Sequence, residues 1–342
     1  MITLGQLGCG YWGPNLLRNF LAQPQCRVKW VADSSAERRS FIQSTFPTAT
    51  PIPEIETILE DREVDGVVIA TPAASHHALA KEALRRGKHV FVEKPLAMTS
   101  AEADELATLA GERQRILFAG HTFLYNPAVR YLKKLIDQQD LGDIYYITCQ
   151  RLNLGQVRND VNAWWNLAPH DVSILLYLMN GELPISVAAQ GMDYLQNGTE
   201  DVVFATLTWA NRVAAHIHVS WLDPGKVRRM TIVGSRKMVL YDDVSDDKLT
   251  IYDKGFDRVP RIGERMDFDT PGGFLLKPRA GDILLPRIDW VEPLRVEAAH
   301  FLECIRTGAT PLTGPKHGRD VVAVLEAGQQ ALIRGEITTI SR

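Results

Sequence analysis

ITLGQLGCGYWGPNLLRNFL, residues 2–21, decides the fold. Ile2 to Leu7 is a short apolar run with the look of a buried strand, and Asn15 to Leu21 carries apolar residues at helical spacing. Between them Gly8, Gly10 and Gly13 stand as G-x-G-x-x-G, with Tyr11 and Trp12 filling the loop. Glycines at this spacing are common in turns. Here they sit between a strand and a helix, the context that gives the pattern its mechanism: a tight turn, close backbone approach to a pyrophosphate, and a helix amino terminus facing it. The stretch predicts a dinucleotide site.

The following residues repeat the alternation. Val28 to Ala32 is a second strand ending at Asp33, whose carboxylate would accept from both ribose hydroxyls and repel the extra phosphate of NADP. NAD is therefore the expected cofactor; Arg38 and Arg39, a few residues on, could serve a phosphate, though on a helix after the strand they read more readily as solvated positions. Val64 to Ala70 is a strand ending in Thr71 and Pro72, with Ser75 placed to cap a helix from His76 to Arg86. Gly87 stops that helix before His89 to Val92, a buried run that ends at Glu93, Lys94 and Pro95. A helix over Ser100 to Gly111 and a strand over Ile116 to Ala119 complete the series. Strand and helix in strict alternation predict an α/β unit, a Rossmann-type doubly wound parallel sheet, over residues 1–120. Ligands of such sheets bind beyond the carboxyl ends of the strands, where Lys94 stands. A solvated strand end beside a turn proline is the plain alternative for Glu93 and Lys94. The cofactor set read from these strand ends is Gly8, Gly10, Tyr11, Trp12, Gly13, Asp33, Thr71, Pro72, His76, Glu93 and Lys94.

GCGYWG, Asp33, TPAASHH, GKHVFVEKPLA and a later histidine helix together resemble the Gfo/Idh/MocA (glucose-fructose oxidoreductase and inositol dehydrogenase) family over essentially the whole chain. The resemblance implies nicotinamide-dependent oxidation or reduction of a sugar or polyol hydroxyl, with Lys94 near the nicotinamide and the reacting carbon. It also implies a cis bond before Pro95.

After Gly120 the periodicity changes. Ile144 to Leu154 reads as a long strand, and Val213, Ala215, Ile217, Val219 and Trp221 alternate with Ala214, His216, His218 and Ser220, the period of a sheet buried on one side. A mixed or mostly antiparallel sheet over Ile144 to Ile251 is expected, within an α+β substrate and oligomerisation domain over 121–342. His216 and His218 share a face but have no third ligand placed by sequence, so no metal site is expected. The resemblance puts that face at a subunit interface, in a homodimer or homotetramer. Two further helices are expected over Glu292 to Arg306 and Gly318 to Arg334, with TGATPLTGPKHG a loop between them.

RLNLGQVRNDVNAWWNLAPHDVSILLYLMNG, residues 151–181, is the second chemical stretch. Helical spacing over Asn166 to Asn180 puts Pro169 in the first turn and His170 near the positive end of the helix dipole, which lowers an imidazole pKa. The family pattern is Asp-x-x-x-His, met here by Asn166 and His170: the histidine matches and the aspartate does not. An amide still binds a sugar hydroxyl or caps the helix, but it holds no negative charge beside His170. Asp171 lies about 100° round the helix from His170 and is a poor substitute. Within the family, NLGQVRNDVN before WNLAPHD looks most like nucleotide-sugar 3-dehydrogenases acting on UDP-N-acetyl-glucosaminuronate. Arg158 would then pair with a carboxylate or diphosphate and Asn162 with sugar hydroxyls, or both belong to a loop held by its own contacts. Trp164 and Trp165 either wall the pocket or pack on a neighbouring helix.

A chain of 342 residues with 45% hydrophobic and 23% charged residues and a net charge of −3 has no basic field for nucleic acid and no polybasic membrane anchor. No apolar run approaches the roughly 18 residues that span a bilayer. The four scattered cysteines fit a reducing compartment, and a cytoplasmic enzyme is expected. Lys94 and His170 are the catalytic candidates and Arg158, Asn162, Asn166 and His170 the substrate-binding ones. The expected reaction is NAD-dependent oxidation of a secondary hydroxyl, at C3 of a UDP-linked uronic acid. Its alternatives are a nucleotide-sugar 3-ketoreductase, an inositol or free-sugar dehydrogenase, and a cofactor-holding sensor without turnover.

Overall fold

In the computed structural model, which describes residues 1–155, 157–260 and 274–340, Ile2–Leu7 forms β1, and Gly13–Leu21 forms α1 with a proline in its first turn. The chain continues through β2 (Cys26–Ala32), α2 (Ala36–Thr45), β3 (Thr50–Ile52), α3 (Glu56–Glu60), β4 (Gly66–Ile69), α4 (His76–Arg85), β5 (His89–Glu93), α5 (Ser100–Arg113) and β6 (Leu117–Gly120). The strands pair in parallel in the order β3-β2-β1-β4-β5-β6, so the order reverses between β1 and β4 and opens a crevice at their carboxyl ends. The side chain of Ser75 does not cap α4. Its hydroxyl bonds the Pro72 carbonyl at 2.7 Å and the Thr71 hydroxyl at 2.7 Å, tying off the loop after β4 instead. The full reciprocal cap is at α5, between Thr99 and Glu102.

The second sheet follows α6 (Pro127–Asp137) and is built from β7 (Ile144–Leu154), then, after α7 (Ala163–Leu178), β8 (Ser186–Met192), β9 (Val202–Thr208), β10 (Ala214–Ser220), β11 (Leu222–Gly234), β12 (Met238–Asp242), β13 (Leu249–Pro260) and β14 (Phe274–Leu284). Helices α8 (Pro293–Thr307) and α9 (Pro315–Arg334) and a short β15 (Thr338–Thr339) end the described chain. Strand order is β14-β13-β12-β11-β7-β10-β9-β8-β15, with β7 and β10 parallel and the other neighbours antiparallel. The sheet is longer than alternation alone foretold. It reaches Leu284 and takes β15 as a far edge, because β14 and β15 are exposed edge strands without a one-faced apolar pattern. On β10 the expected inward set is buried: Ala215, Ile217 and Val219 are fully covered, and Trp221 beyond the strand is 1% exposed. His216 and His218 face outward, the latter stacked on Phe204 with ring centroids 4.3 Å apart.

The carboxy-terminal helices return to the first sheet. Phe301 of α8 packs edge-on against Phe91 and Phe118, centroids 5.6 and 5.5 Å away, and Phe20 of α1 closes the cluster at 5.7 Å from Phe91. Each such ring contributes about 1.5–3 kcal/mol by leaving water. On the other helix, Gly328 lies under Trp164, whose indole N–H donates to the Leu325 carbonyl at 2.8 Å. Trp164 is therefore a packing residue against α9 rather than a pocket wall. A Cβ on Gly328 would come 2.4 Å from the Trp164 ring, which is fully buried and held by its hydrogen bond. Overpacking costs about 1–3 kcal/mol against a helix-propensity gain of at most about 1. Gly328→Ala should thus lower stability, read as a lower midpoint in urea unfolding; a higher midpoint would refute this packing.

Candidate active site

The glycine loop is held from below by a residue the sequence reading passed over. Gln6, 1% exposed, donates its amide hydrogens to the carbonyls of Gly8 (2.9 Å) and Gly13 (3.1 Å). A polar side chain inside an apolar strand was the available signal. Gly8 has φ +86°, and a Cβ there would meet the Ala70 carbonyl oxygen at 2.8 Å; one on Gly13 would meet the Gly8 carbonyl oxygen at 2.9 Å. Around Gly10 there is open space, with no atom of the described residues within 4 Å of an added Cβ. Two glycines thus let the loop fold tightly and the third leaves room over it, a fit to a pyrophosphate at the start of α1. Asp33 Oδ2 accepts from the Cys9 N–H at 2.8 Å and Oδ1 from the Ser35 N–H at 2.9 Å, which fixes the carboxylate at the end of β2 where ribose hydroxyls would lie. The Arg39 guanidinium is spent on the carbonyls of Asp33 and Ser34, and Arg38 is exposed. Tyr11 is 83% and Trp12 41% exposed over the loop. Thr71 and Pro72 sit at the end of β4. His76 is 1% exposed, with its ring nitrogens 2.7 Å from the Pro95 carbonyl and 2.9 Å from the Thr71 carbonyl; lowered in pKa by burial, it donates its one N–H to one of them.

At the end of β5 the Lys94–Pro95 peptide is cis. Lys94 Nζ donates to the main-chain carbonyl of Asn166 at 2.9 Å, reaching from the first sheet to α7. That helix begins three residues earlier than expected: Asn162 is its N-cap, accepting from the Trp165 N–H at 3.0 Å, and Pro169 lies inside it. The cap explains the shift, since Asn before two tryptophans starts a helix as well as Asn166 does. Lacking an N–H, Pro169 leaves the Trp165 carbonyl without its helical donor, and the next carbonyl, that of Asn166, is the one Lys94 takes. His170 accordingly stands in the second turn, beyond the reach of the helix dipole, which acts over the first turn. Its pKa is nevertheless pushed well down, by burial first and then by the charges of Lys94, Arg151 and Arg228. Burial likewise lowers the Lys94 ammonium, opposed by Glu93 and aided by Arg158 and Arg151. Glu93, 8% exposed, is raised by its own burial against the pull of Lys94. His170 packs edge-on to Phe123, centroids 5.0 Å apart, with Nδ1 buried and without a partner among the described residues.

Lys94, Asn166 and His170 are thus brought together. Asn166 Oδ1 accepts from the Trp221 indole at 3.2 Å. Asn162 is not presented to the cleft: it is 7% exposed, with its amide hydrogens on Glu200 (2.6 Å) and Gln329 (2.8 Å). Arg158 is near enough to act on Lys94 electrostatically but is closed in a bidentate pair with Asp160, at 2.7 and 2.6 Å. Beneath His170, Arg151 and Asp171 form a buried fork of two 3.0 Å hydrogen bonds, which gives Asp171 a partner other than His170. Arg151 was missed. Its signal was a charge on the inward face of β7, in step with Ile147 and Cys149. Arg228, opposite Arg151 in the β11–β7 ladder, adds a half-exposed cation held only loosely by Asp243 at 3.4 Å. Among the described residues there is no cluster of three or more metal-ligating side chains. No helix among them is long and apolar enough to cross a membrane.

Residues 2–121 match the model of an oxidoreductase family with an NAD-binding Rossmann fold, and residues 129–240 match the carboxy-terminal domain model of GFO/IDH/MocA proteins. The chain is similar to the UDP-N-acetylglucosamine 3-dehydrogenase of Acidithiobacillus ferrooxidans, 30% identical over 259 residues that make up 75% of this chain and 79% of that one. The solved structure of that enzyme superposes with a TM-score of 0.78 at 26% identity, covering 97% of both chains. The scyllo-inositol 2-dehydrogenase (NAD+) of Bacillus subtilis is 24% identical over 91% of this chain and 87% of its own length. GenD2 from gentamicin A biosynthesis, solved in complex with NAD, shares the fold with a TM-score of 0.83 at 20% identity, over 100% of this chain and 97% of that one.

Proposed function

The chain belongs to the Gfo/Idh/MocA family of NAD-binding oxidoreductases, and from that membership we propose that it oxidises the C3 hydroxyl of a nucleotide-linked sugar, with UDP-N-acetyl-glucosaminuronate as the first candidate. The observation that supports this reading is the Lys94 Nζ bond to the Asn166 carbonyl, one helical turn before His170, which joins an amine of lowered pKa to the helix of a histidine that burial keeps neutral. NAD bound on the glycine loop and Asp33 would take the hydride. Everything else falls to the chain's own residues. A neutral amine bonded to a carbonyl keeps its lone pair, so Lys94 accepts the hydroxyl proton without leaving Asn166. His170 is neutral and stands ready as hydrogen-bond partner to the same sugar. The half-exposed Arg228 cation favours an anionic substrate, and the named activity of the Acidithiobacillus relative supports a UDP-linked N-acetyl sugar. The homo-oligomer is proposed on the outward face of the second sheet, around Phe204 and His218, and light scattering would measure it.

The decisive assay is absorbance of reduced nicotinamide on mixing purified protein with NAD and UDP-N-acetyl-glucosaminuronate. UDP-N-acetylglucosamine, myo-inositol and NADP run in parallel, at enzyme concentrations that reveal a single turnover. A rise with either UDP-sugar and not with inositol supports the proposal. A rise with inositol alone sinks it in favour of a free-polyol dehydrogenase, the reading that the Arg158–Asp160 pair favours by leaving that guanidinium occupied. Signal only with the 3-keto sugar and NADH would reverse the direction, and none with any pair would favour a sensor.

Asn166→Asp tests the departure from the family pattern. A carboxylate one carbonyl away from Lys94 favours its ammonium, and an opposite charge at such range moves a pKa by about one unit or more. The acid limb of the pH–rate profile should move up by about that much, with activity above it raised if the missing carboxylate had limited His170. An unmoved limb would place residue 166 outside the proton transfer.

A further inference from the structure

The strand end next to Lys94 carries a histidine with no hydrogen-bond partner among the described residues. His121 is fully buried, and among the described residues neither of its ring nitrogens has a partner; the same is true of His170 Nδ1 and His317 Nε2. Buried polar atoms are nearly always satisfied, and orphans gathered in one place are explained by bridging water. Their placement follows from the fold. Glu93 pairs with Gly120 in the parallel β5–β6 ladder, so Lys94 and His121 are the next residues on adjacent strands, which lie about 5 Å apart. His121 meets His317 edge-on, centroids 5.2 Å apart. The start of α9 brings His317 there: the Thr313 carbonyl accepts from the Ala119 N–H at 2.8 Å, and Gly318 packs so closely on Leu96 that a Cβ would lie 2.7 Å from its methyl. His317 is half-buried and follows the exposed Lys316. Lys94, His121 and His317 therefore form a row from the cleft to the surface at the start of α9.

We propose that His121 and His317, joined by buried water, conduct the hydroxyl proton from Lys94 to solvent. This rests on the reading of Lys94 as the base. Cofactor and substrate bound at the strand ends would cover the outward side of Lys94, leaving the inward route past His121 for its proton. NAD held on the glycine loop would take the C3 hydrogen with its electron pair; the O–H bond gives its proton to the Lys94 amine, and a ketone remains. The ammonium then returns to the amine by passing that proton through water to one nitrogen of His121. The other nitrogen releases a proton toward His317, and one proton reaches solvent per sugar oxidised. Burial and the neighbouring charges hold both imidazoles neutral at rest, the state in which one ring nitrogen accepts while the other donates. Both act through Lys94 as positioning and relay groups, without touching the reacting atoms.

Two measurements test this. In weakly buffered stopped flow with NAD and the UDP-sugar, NADH and proton appear together in the native protein. In His121→Phe and in His317→Phe, proton appearance should lag NADH by roughly tenfold or more, and added imidazole should restore the rate in His121→Ala. Proton release that keeps pace with NADH in both phenylalanine variants overturns the relay. If His121→Phe fails to fold, His317→Phe at the half-buried position decides by the same criterion. The second measurement needs no turnover: a high-resolution crystal structure of the NAD-loaded protein should show ordered water between His121 and its neighbours. A dry gap overturns the proposal whatever the activity, whereas ordered water in a native protein that reduces no NAD with any sugar sinks the dehydrogenase reading and leaves the polar row in place.

Discussion

Lys94→Ala should lower turnover by about 10² to 10⁴-fold, the range general acid–base catalysis supplies, while NAD affinity stays nearly unchanged. The separation follows from position. The glycine loop and Asp33 lie at the ends of β1 and β2 and are held by Gln6 and by main-chain donors, none of which Lys94 touches. Lys94→Arg should lose as much as the alanine variant, because a guanidinium keeps the charge but stays protonated at working pH. If Arg restored activity, charge alone would be the role. In the native protein the rate of oxidation should rise with pH on a limb set below the ordinary lysine range, since burial and the nearby guanidiniums disfavour the ammonium. Glu93 opposes that shift, so Glu93→Gln should move the limb further down in pH. Unchanged turnover in Lys94→Ala, at unchanged NAD affinity, would remove Lys94 from the mechanism.

The parts of this site that were legible in the sequence are those fixed by local rules. A strand, three glycines and a helix fix the loop after β1, and an apolar run ended by Glu-Lys-Pro puts Lys94 at a strand end. Residues whose role depends on another segment were not legible. Arg151 looks like one charge in a long strand until Asp171, on α7, comes to lie against it. His121 and His317 are far apart in sequence and meet only because α9 returns to β6. Asn162 misled for a related reason: it reads as a ligand or as part of a self-held loop, but it caps α7 on the Trp165 N–H, and Glu200, just before β9, and Gln329 of α9 take its amide hydrogens. The start of α7 failed with it, because a proline expected in a first turn was tolerated in a second, where the Lys94 ammonium bonds the carbonyl beside the one the proline leaves without a donor.

Asp171→Asn should destabilise the protein by about 3–5 kcal/mol, the cost of leaving one charge of a buried pair without its partner. Arg151 and Asp171 are 5% and 4% exposed, and both oxygens of the carboxylate are engaged by the guanidinium fork. An amide there turns one acceptor into a donor facing an N–H, so the substitution removes a hydrogen bond as well as a charge. Replacing both partners, as in Arg151→Met with Asp171→Leu, should recover much of the loss, since apolar residues of like volume often do as well as a buried pair. Urea unfolding of the three variants measures this. The pair has a second effect that a purely structural contact would lack. Arg151 stands in the field of Lys94 and His170, and its charge is neutralised by Asp171. Uncompensated, it repels the ammonium, so in the fraction of Asp171→Asn that folds, the acid limb of the pH–rate profile should move to lower pH. Arg151→Met with Asp171→Leu removes both charges and should leave that limb close to the native one. A limb that moved equally in both variants would mean that the helix had shifted rather than the field.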